Sequence, residues 1–132
     1  MPDQTTDPTQ APVCILPATD LQRDVTTGFR TEIAGVPRRL IVTRRDGRSA
    51  VFLNSCPHQG INLDWREDDF LDADETYLQC AMHGALFDVR TGECVAGPCS
   101  GQALIPVAFE CREDGSVWVS LQTLTELPDS AA

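Results

Sequence analysis

The sequence predicts an all-β protein built as a small antiparallel β sandwich or barrel. Short apolar runs recur along its 132 residues and are separated by turn signals. The dipeptides Asp46-Gly47 and Asp114-Gly115 stand between such runs, and Asp-Gly is a strong signal for a tight hairpin turn. No extended window keeps the period of an amphipathic helix. Together these observations favour many short strands in antiparallel order.

The ends of the chain differ from its middle. Residues 1–12 contain three Pro and three Thr, which is typical of a flexible tail. Residues 122–132 are polar and contain a proline, so we expect a frayed C-terminal tail. One domain then covers residues 13–121, a length that suits a single hydrophobic core. We expect its strands, in order, at residues 13–16, 29–34, 40–43, 50–54, 76–80, 86–89, 104–110 and 117–121, with a break at Gly35-Val36-Pro37 after the second.

The chain is strongly acidic. It has 20 acidic residues against ten arginines and no lysine, which gives a formal net charge of −10. This balance argues against a nucleic-acid partner, since phosphates are bound by Lys and Arg, and against docking on anionic membranes. No run reaches the roughly 18 apolar residues needed to span a bilayer, and the N-terminus lacks a signal-peptide pattern. We therefore expect a cytoplasmic protein.

Both histidines of the chain stand close behind a cysteine. Cys56 and His58 form a C-x-H motif, and after a spacer of 21 residues Cys80 and His83 form a C-x-x-H motif. Two thiolates and two imidazoles can bind a tetrahedral zinc ion or a mixed-ligand iron–sulfur cluster. The C-x-H spacing is unusual for structural zinc. These four residues are the candidate metal ligands under either alternative.

Four further cysteines lie outside the two motifs. In a reducing compartment they are best explained as small buried residues, and a redox role for the pair Cys94 and Cys99 is the weaker alternative. They are Cys14, Cys94, Cys99 and Cys111.

Around the two motifs the sequence resembles the Rieske 2Fe–2S family, and most closely its soluble ferredoxin-type members. The resemblance covers residues 13–121 and includes CPHQG, CAMHG, ALFDVRTGE, GPCSGQAL and DGSVWV. It implies one 2Fe–2S cluster per chain, in a subdomain formed by two ligand loops. Cys56 and Cys80 would bind the inner iron. His58 and His83 would bind the outer, solvent-facing iron.

The same resemblance shows where this chain departs from the high-potential members. Ile61 and Met82 stand where those proteins carry a disulfide. Ala85 and Phe87 stand where they carry hydroxyl groups that donate hydrogen bonds to sulfur. Because such bonds stabilise the more negative reduced state, their absence predicts a potential in the lower part of the Rieske range. Gly97-Pro98-Cys99 resembles the family's proline loop, which covers the cluster.

The spacer between the motifs is acidic, since residues 64–75 hold seven acids against Arg66. We expect an acidic hairpin close to the cluster, anchored to the body by Trp65, Phe70 and Leu71. Such a rim would steer a basic surface of a partner. The alternative is that these acids form only a solvated face.

The family resemblance implies an electron carrier and not an enzyme. In this setting a flavin reductase supplies the electrons and an oxygenase receives them. A mononuclear oxygenase iron site is excluded. The chain has only two histidines, and the cluster would use both of them. Two alternatives stay open: a Rieske-type small subunit of a larger reductase, similar to nitrite reductase partners, and a cluster-based redox-sensing module.

Overall fold

The computed structural model describes residues 11–55, 63, 70–80, 84–97 and 101–128. This part of the chain is almost entirely β structure, as the sequence predicts, and contains one short helix, α1 (Leu121–Glu126). The strands are β1 (Pro12–Leu16), β2 (Val25–Ile33), β3 (Val36–Arg45), β4 (Arg48–Leu53), β5 (Tyr77–Gln79), β6 (Leu86–Asp88), β7 (Cys94–Ala96), β8 (Glu110–Cys111) and β9 (Val117–Ser120).

The described strands form three antiparallel sheets of three strands each. We call β1–β9–β8 the terminal sheet, β2–β3–β4 the central sheet and β5–β6–β7 the small sheet. In the central sheet, β3 pairs with β2 from Val36 to Arg44 and with β4 from Leu40 to Arg45. The predicted antiparallel architecture is confirmed.

Alternation of side chains along the central sheet divides the interior into two cores. Leu40 and Val42 face the terminal sheet and α1, in a cluster that we call the terminal-sheet core. Ile41 and Phe52 face the other way and belong with Phe87 to a cluster that we call the small-sheet core. The central sheet therefore packs against the terminal sheet on one face and against the small sheet on the other.

Two-residue turns join the strands of the central sheet. Asp46 and Gly47 have φ angles of 55° and 78°, and Ala34 and Gly35 have φ angles of 52° and 83°. Positive φ at both central residues is the hairpin geometry that matches the twist of the flanking strands. The Asp46-Gly47 hairpin is confirmed. The earlier turn lies at residues 34–35, so Pro37 belongs to β3 and not to the break.

The predicted strand at residues 104–110 is wrong for most of its length. Pro106 makes an isolated bridge to Phe52, and regular pairing begins only at β8. The N–H of Leu104 donates to Gly92, and the N–H of Val107 donates to Val51, so the segment crosses from the small sheet to the central sheet. Pro106 and Phe52 form a non-hydrogen-bonded pair, which needs no N–H from the proline, and the pairing is short because the segment passes from one sheet to the other. Strand β7 was not predicted, because two of its three residues are exposed and give no alternating pattern.

The expectation of a frayed chain after residue 121 is wrong for residues 122–126, which form α1 together with Leu121. Ser120 is the N-cap, and its hydroxyl accepts a 3.1 Å hydrogen bond from the N–H of Thr123. Leu124 is fully buried, and Arg38 donates to the carbonyl of Thr125 at 3.0 Å. A cap, a buried leucine and a guanidinium therefore hold this short helix. No helix in the described part of the chain is long and apolar enough to cross a membrane.

The prediction that the four non-motif cysteines are buried is correct for Cys94 and wrong for two others. Cys14 and Cys111 are exposed. They lie on β1 and β8, which are the two edge strands of the terminal sheet. Cys99 lies outside the described residues.

Candidate metal centre

The first ligand loop begins where β4 ends. Asn54 follows β4, is 4% exposed, and its N–H donates to the carbonyl of Arg39 at 2.9 Å. Its side-chain Oδ1 accepts a 2.7 Å hydrogen bond from the N–H of Leu63, which is fully buried. One amide side chain therefore joins the two ends of the loop. The predicted ligands Cys56 and His58 belong to this loop and lie outside the described residues.

The second ligand loop connects β5 to β6. The N–H of Cys80 donates to the carbonyl of Ala85, and the N–H of Gly84 donates to the carbonyl of Cys80, both at 2.9 Å. Gly84 has a φ of 69°, a left-handed value that glycine adopts without strain. These bonds close a tight loop at one end of the small sheet. Cys80 is fully buried at its base, and His83 lies outside the described residues.

A third segment approaches the second loop at Gly97. A Cβ at Gly97 would lie 2.8 Å from the Cα of Ala85, which is closer than carbon atoms can approach. Gly97 also has a φ of 101°. Only glycine fits this contact, so the chain enters residues 98–100 directly against the second ligand loop. Pro98 and Cys99, the rest of the predicted proline loop, lie outside the described residues.

The bases of the two ligand loops are packed in one apolar cluster. Leu63, Cys80, Ala85 and Phe87 are all fully buried in the small-sheet core. Ala85 and Phe87 therefore present no hydroxyl group to this end of the core. A buried thiolate is costly unless a metal ion or donors compensate it, and a thiolate is a soft ligand suited to an iron–sulfur cluster. The surroundings of Cys80 fit such a cluster.

The structure describes one of the four predicted ligands, Cys80, and the anchors of both loops. Within the described ranges no three His, Cys, Asp or Glu side chains are grouped as a metal site. The sequence analysis missed one residue that shapes the site, Asn54. The signal for Asn54 is slight: it is a polar residue at the end of an apolar strand, two positions before Cys56.

Residues 70–75 of the predicted hairpin belong to a hairpin that spans residues 70–79, and residues 64–69 lie outside the described residues. The N–H of Gln79 donates to Phe70 at 2.7 Å, and Leu71 forms a bridge with Leu78. Phe70 is 1% exposed in the small-sheet core, and Leu71 is packed against that core, so both are the anchors that we expected. The third expected anchor, Trp65, lies outside the described residues.

The described acids of this hairpin are not near the second ligand loop, so the expectation of a rim close to the cluster does not hold for these three acids. The turn between residues 72 and 77 is at the end of the small sheet opposite Cys80, because Tyr77 pairs with Asp88 while Gln79 pairs with Leu86. Asp72, Asp74 and Glu75 belong to this distal turn. The carbonyl of Glu75 accepts a 3.0 Å hydrogen bond from Arg45. The other four acids of residues 64–75 lie outside the described residues.

Solved structures similar to this chain include ferredoxins and a chain of an oxygenase–ferredoxin complex. A chain of the complex of reduced oxygenase and oxidized ferredoxin in carbazole 1,9a-dioxygenase is 26% identical with a TM-score of 0.58, and the match covers 86% of this chain and 95% of that one. The Sphingomonas yanoikuyae B1 ferredoxin is 26% identical with a TM-score of 0.56, over 84% of this chain and 97% of its own.

A further ferredoxin shares the fold at lower identity. The ferredoxin of carbazole 1,9a-dioxygenase from Nocardioides aromaticivorans IC177 is 23% identical with a TM-score of 0.57, over 83% of this chain and 97% of its own. No curated protein matches the chain. The model of one protein family, the Rieske [2Fe-2S] domain, matches residues 11–122, which include all nine described strands and both ligand motifs. The chain therefore belongs to the Rieske [2Fe-2S] domain family and binds a 2Fe–2S cluster.

Proposed function

We propose that this protein is a one-electron carrier that takes electrons from a flavin reductase and delivers them to an oxygenase in the cytoplasm. The observation that carries the proposal is the Rieske match over residues 11–122. It is supported by the near-complete coverage of a ferredoxin and of a chain from an oxygenase–ferredoxin complex, both at 26% identity. One of these matches is a chain from a complex of oxygenase and ferredoxin, which supports an oxygenase as the electron acceptor.

We propose further that Cys56 and Cys80 hold the inner iron of the cluster and that His58 and His83 hold the outer iron. The burial of Cys80 supports an inner position for the cysteine-bound iron. The closed bases of both loops also support the assignment. Each motif has one thiol and one imidazole that must reach different irons, and a loop fixed at its base can hold the two side chains apart. When bound, the cluster accepts and releases one electron.

The protein's own residues set the conditions for that electron transfer. Leu63, Ala85 and Phe87 form a dry base that keeps water from the cysteine side of the site. Electron transfer requires no general acid or base and no substrate pocket, and we propose no catalytic residue. The fixed loop bases limit the rearrangement that accompanies each change of charge.

The surroundings favour a low reduction potential. Reduction adds one negative charge, and an apolar base without hydroxyl donors stabilises that charge poorly. The net charge of −10 acts in the same direction. We therefore expect a potential nearer the lower limit of the Rieske range, about −150 mV, than its upper limit, about +300 mV.

Analysis of iron and acid-labile sulfide, combined with EPR of the dithionite-reduced protein, tests the ligand set. We expect about two irons and two sulfides per chain and the signal of mixed His/Cys ligation. His83→Ala should lose the cluster or make it labile. Stoichiometric zinc, or a fully loaded His83→Ala variant with an unchanged signal, contradicts the assignment. Stopped-flow mixing of the reduced protein with an oxygenase then tests the carrier role.

A further inference from the structure

The two ligand loops are carried by different sheets. The first loop follows β4 of the central sheet and begins at Asn54, and the second loop follows β5 of the small sheet and begins at Cys80. A cluster that takes ligands from both loops needs the two sheets to keep one fixed relative position. The small-sheet core joins them, but apolar burial is not directional and by itself resists sliding weakly.

One buried hydrogen bond joins the two sheets directly. The hydroxyl of Thr43, in the middle of the central strand β3, donates to the carbonyl of Val89 at 2.8 Å, just beyond the end of β6. Thr43 is 2% exposed and Val89 is 6% exposed, so water does not compete for this bond. The carbonyl of Ala50, the cross-strand neighbour of Thr43, is the more distant acceptor at 3.5 Å.

Two other side-chain links between the sheets, within the described ranges, are at the surface. Arg90 contacts the carboxylate of Asp46 at 2.6 Å, with side chains 43% and 70% exposed. Arg45 donates to the carbonyl of Glu75 in an exposed bond of 3.0 Å. Exposed ion pairs contribute little and are screened by salt. Of these three side-chain links, the Thr43 bond is therefore the one that solvent does not weaken.

We propose that Thr43 is a positioning residue for the cluster: its hydroxyl fixes the small sheet on the central sheet and so sets the spacing of the two ligand loops. This inference rests on the proposed ligand set, because only a cluster shared by both loops is sensitive to their spacing. Thr43 is neither adjacent to the ligand Cys80 in sequence nor paired with it in a sheet. It acts through the small sheet, at whose end Cys80 lies.

Three variants of the full-length protein separate this role from general stability. Thr43→Val keeps the branched shape and removes the hydroxyl, whereas Thr43→Ser keeps the hydroxyl. Val42→Ala is the matched control, because the adjacent side chain faces the terminal-sheet core and its truncation lowers stability without touching the link. The measurements are the rate of cluster loss from visible absorbance, the EPR spectrum of the reduced protein, and hydrogen exchange of small-sheet peptides.

We expect Thr43→Val to lose its cluster about five to ten times faster than wild type, the factor that corresponds to one net hydrogen bond. Its EPR lines should broaden, and its small-sheet peptides should exchange faster while terminal-sheet peptides do not. Thr43→Ser should behave as wild type. Val42→Ala should unfold more easily but keep the wild-type EPR spectrum.

Two results would overturn the inference. One is a Thr43→Val protein with wild-type cluster loss and exchange. The other is a Val42→Ala protein with the same broadened spectrum as Thr43→Val. Failure of the proposed ligand set is seen separately, in the wild-type protein, as an EPR signal of all-cysteine ligation. The EPR spectrum of each variant is therefore compared with the spectrum of the wild-type protein.

Discussion

The side-chain Oδ1 of Asn54 and the backbone N–H of Leu63 form a 2.7 Å hydrogen bond that closes the first ligand loop at its base. Both residues are buried, so a lost acceptor at Asn54 is not replaced by water. The position of a loop that carries two predicted ligands thus depends on one amide group.

Replacing Asn54 by Ala should therefore weaken cluster retention. The buried N–H of Leu63 would lose its acceptor, at a cost of about 1–3 kcal/mol. We expect cluster loss, followed by visible absorbance, to be about tenfold faster. Ser55→Ala, at the next position, is the control and should retain the cluster as wild type does. Equal cluster loss in both variants would show that the Asn54 bond does not hold the loop.

Gly97→Ala should destabilise the protein more than Gly101→Ala. Both glycines have positive φ angles, 101° and 90°, so both substitutions carry the backbone cost. A Cβ at Gly97 would meet the Cα of Ala85 at 2.8 Å, whereas nothing lies within 4 Å of one at Gly101. Overpacking adds about 1–3 kcal/mol at Gly97 alone. Denaturant unfolding measures the difference, and equal free energies of unfolding would contradict the close contact.

Phe87→Tyr should raise the reduction potential by some tens of millivolts. The family resemblance places a hydroxyl donor to a ligand sulfur at this position, and Phe87 lies fully buried on the strand that follows the second loop. One such bond is worth about 1 kcal/mol, and a tenfold change in a one-electron equilibrium is about 59 mV. Phe70→Tyr, in the same core, is the control. Redox titration checks both, and an equal shift in the control would reject a specific bond to sulfur.

The positions of the described acids allow electrostatic steering to be tested with two double variants at different distances from the cluster. Asp74 and Glu75 lie at the distal turn, so Asp74→Asn with Glu75→Gln should leave the rate of electron transfer to an oxygenase nearly unchanged. Asp68→Asn with Asp69→Asn removes the same charge from the part of the spacer that precedes Phe70, which pairs at the end of the hairpin nearest Cys80. We expect this double variant to slow transfer.

The slowing should be present at low salt and fade as ionic strength rises from about 0.01 to about 0.15 M, because the Debye length falls from roughly 30 to 8 Å. Stopped-flow rates at several salt concentrations provide the measurement. If the two double variants slow transfer equally, only the net charge matters. If neither does, the acids form a solvated face.

The Asp114-Gly115 turn should respond to acid in a defined direction. The hydroxyl of Ser116, assisted by the N–H of Ser116, holds the pKa of the Asp114 carboxyl below its ordinary value. A lowered pKa in the folded state means that the ionised carboxylate stabilises the fold above the ordinary Asp pKa of about 3.9. That contribution is lost as the pH falls through the lowered pKa.

Ser116→Ala should raise the pKa of Asp114 towards its ordinary value. An NMR titration of the Asp114 carboxyl carbon in both proteins measures the two midpoints. The same midpoint in wild type and variant would show that the hydroxyl is not the cause.

Local sequence determined the fold class and the site motifs. Asp46-Gly47 specifies a hairpin because the required positive φ angles suit this pair, and the alternating apolar residues of β3 and β4 specify two buried faces. The Cys/His spacing identified the family before any fold was known, because ligand type and spacing are local properties of the chain.

Tertiary structure decided what no local pattern contains. The helical turn at residues 121–126 depends on Leu124 reaching the terminal-sheet core and on Arg38, which is distant in sequence. The interruption at Pro106 follows from the passage of that segment between two sheets. The clamp from Asn54 to Leu63, the contact of Gly97 with Ala85 and the bond from Thr43 to Val89 join residues of different loops and sheets. The packing of the whole chain determines these partners. The residue type fixes which hydrogen bonds a side chain can form, but the neighbour that forms them comes from another part of the chain.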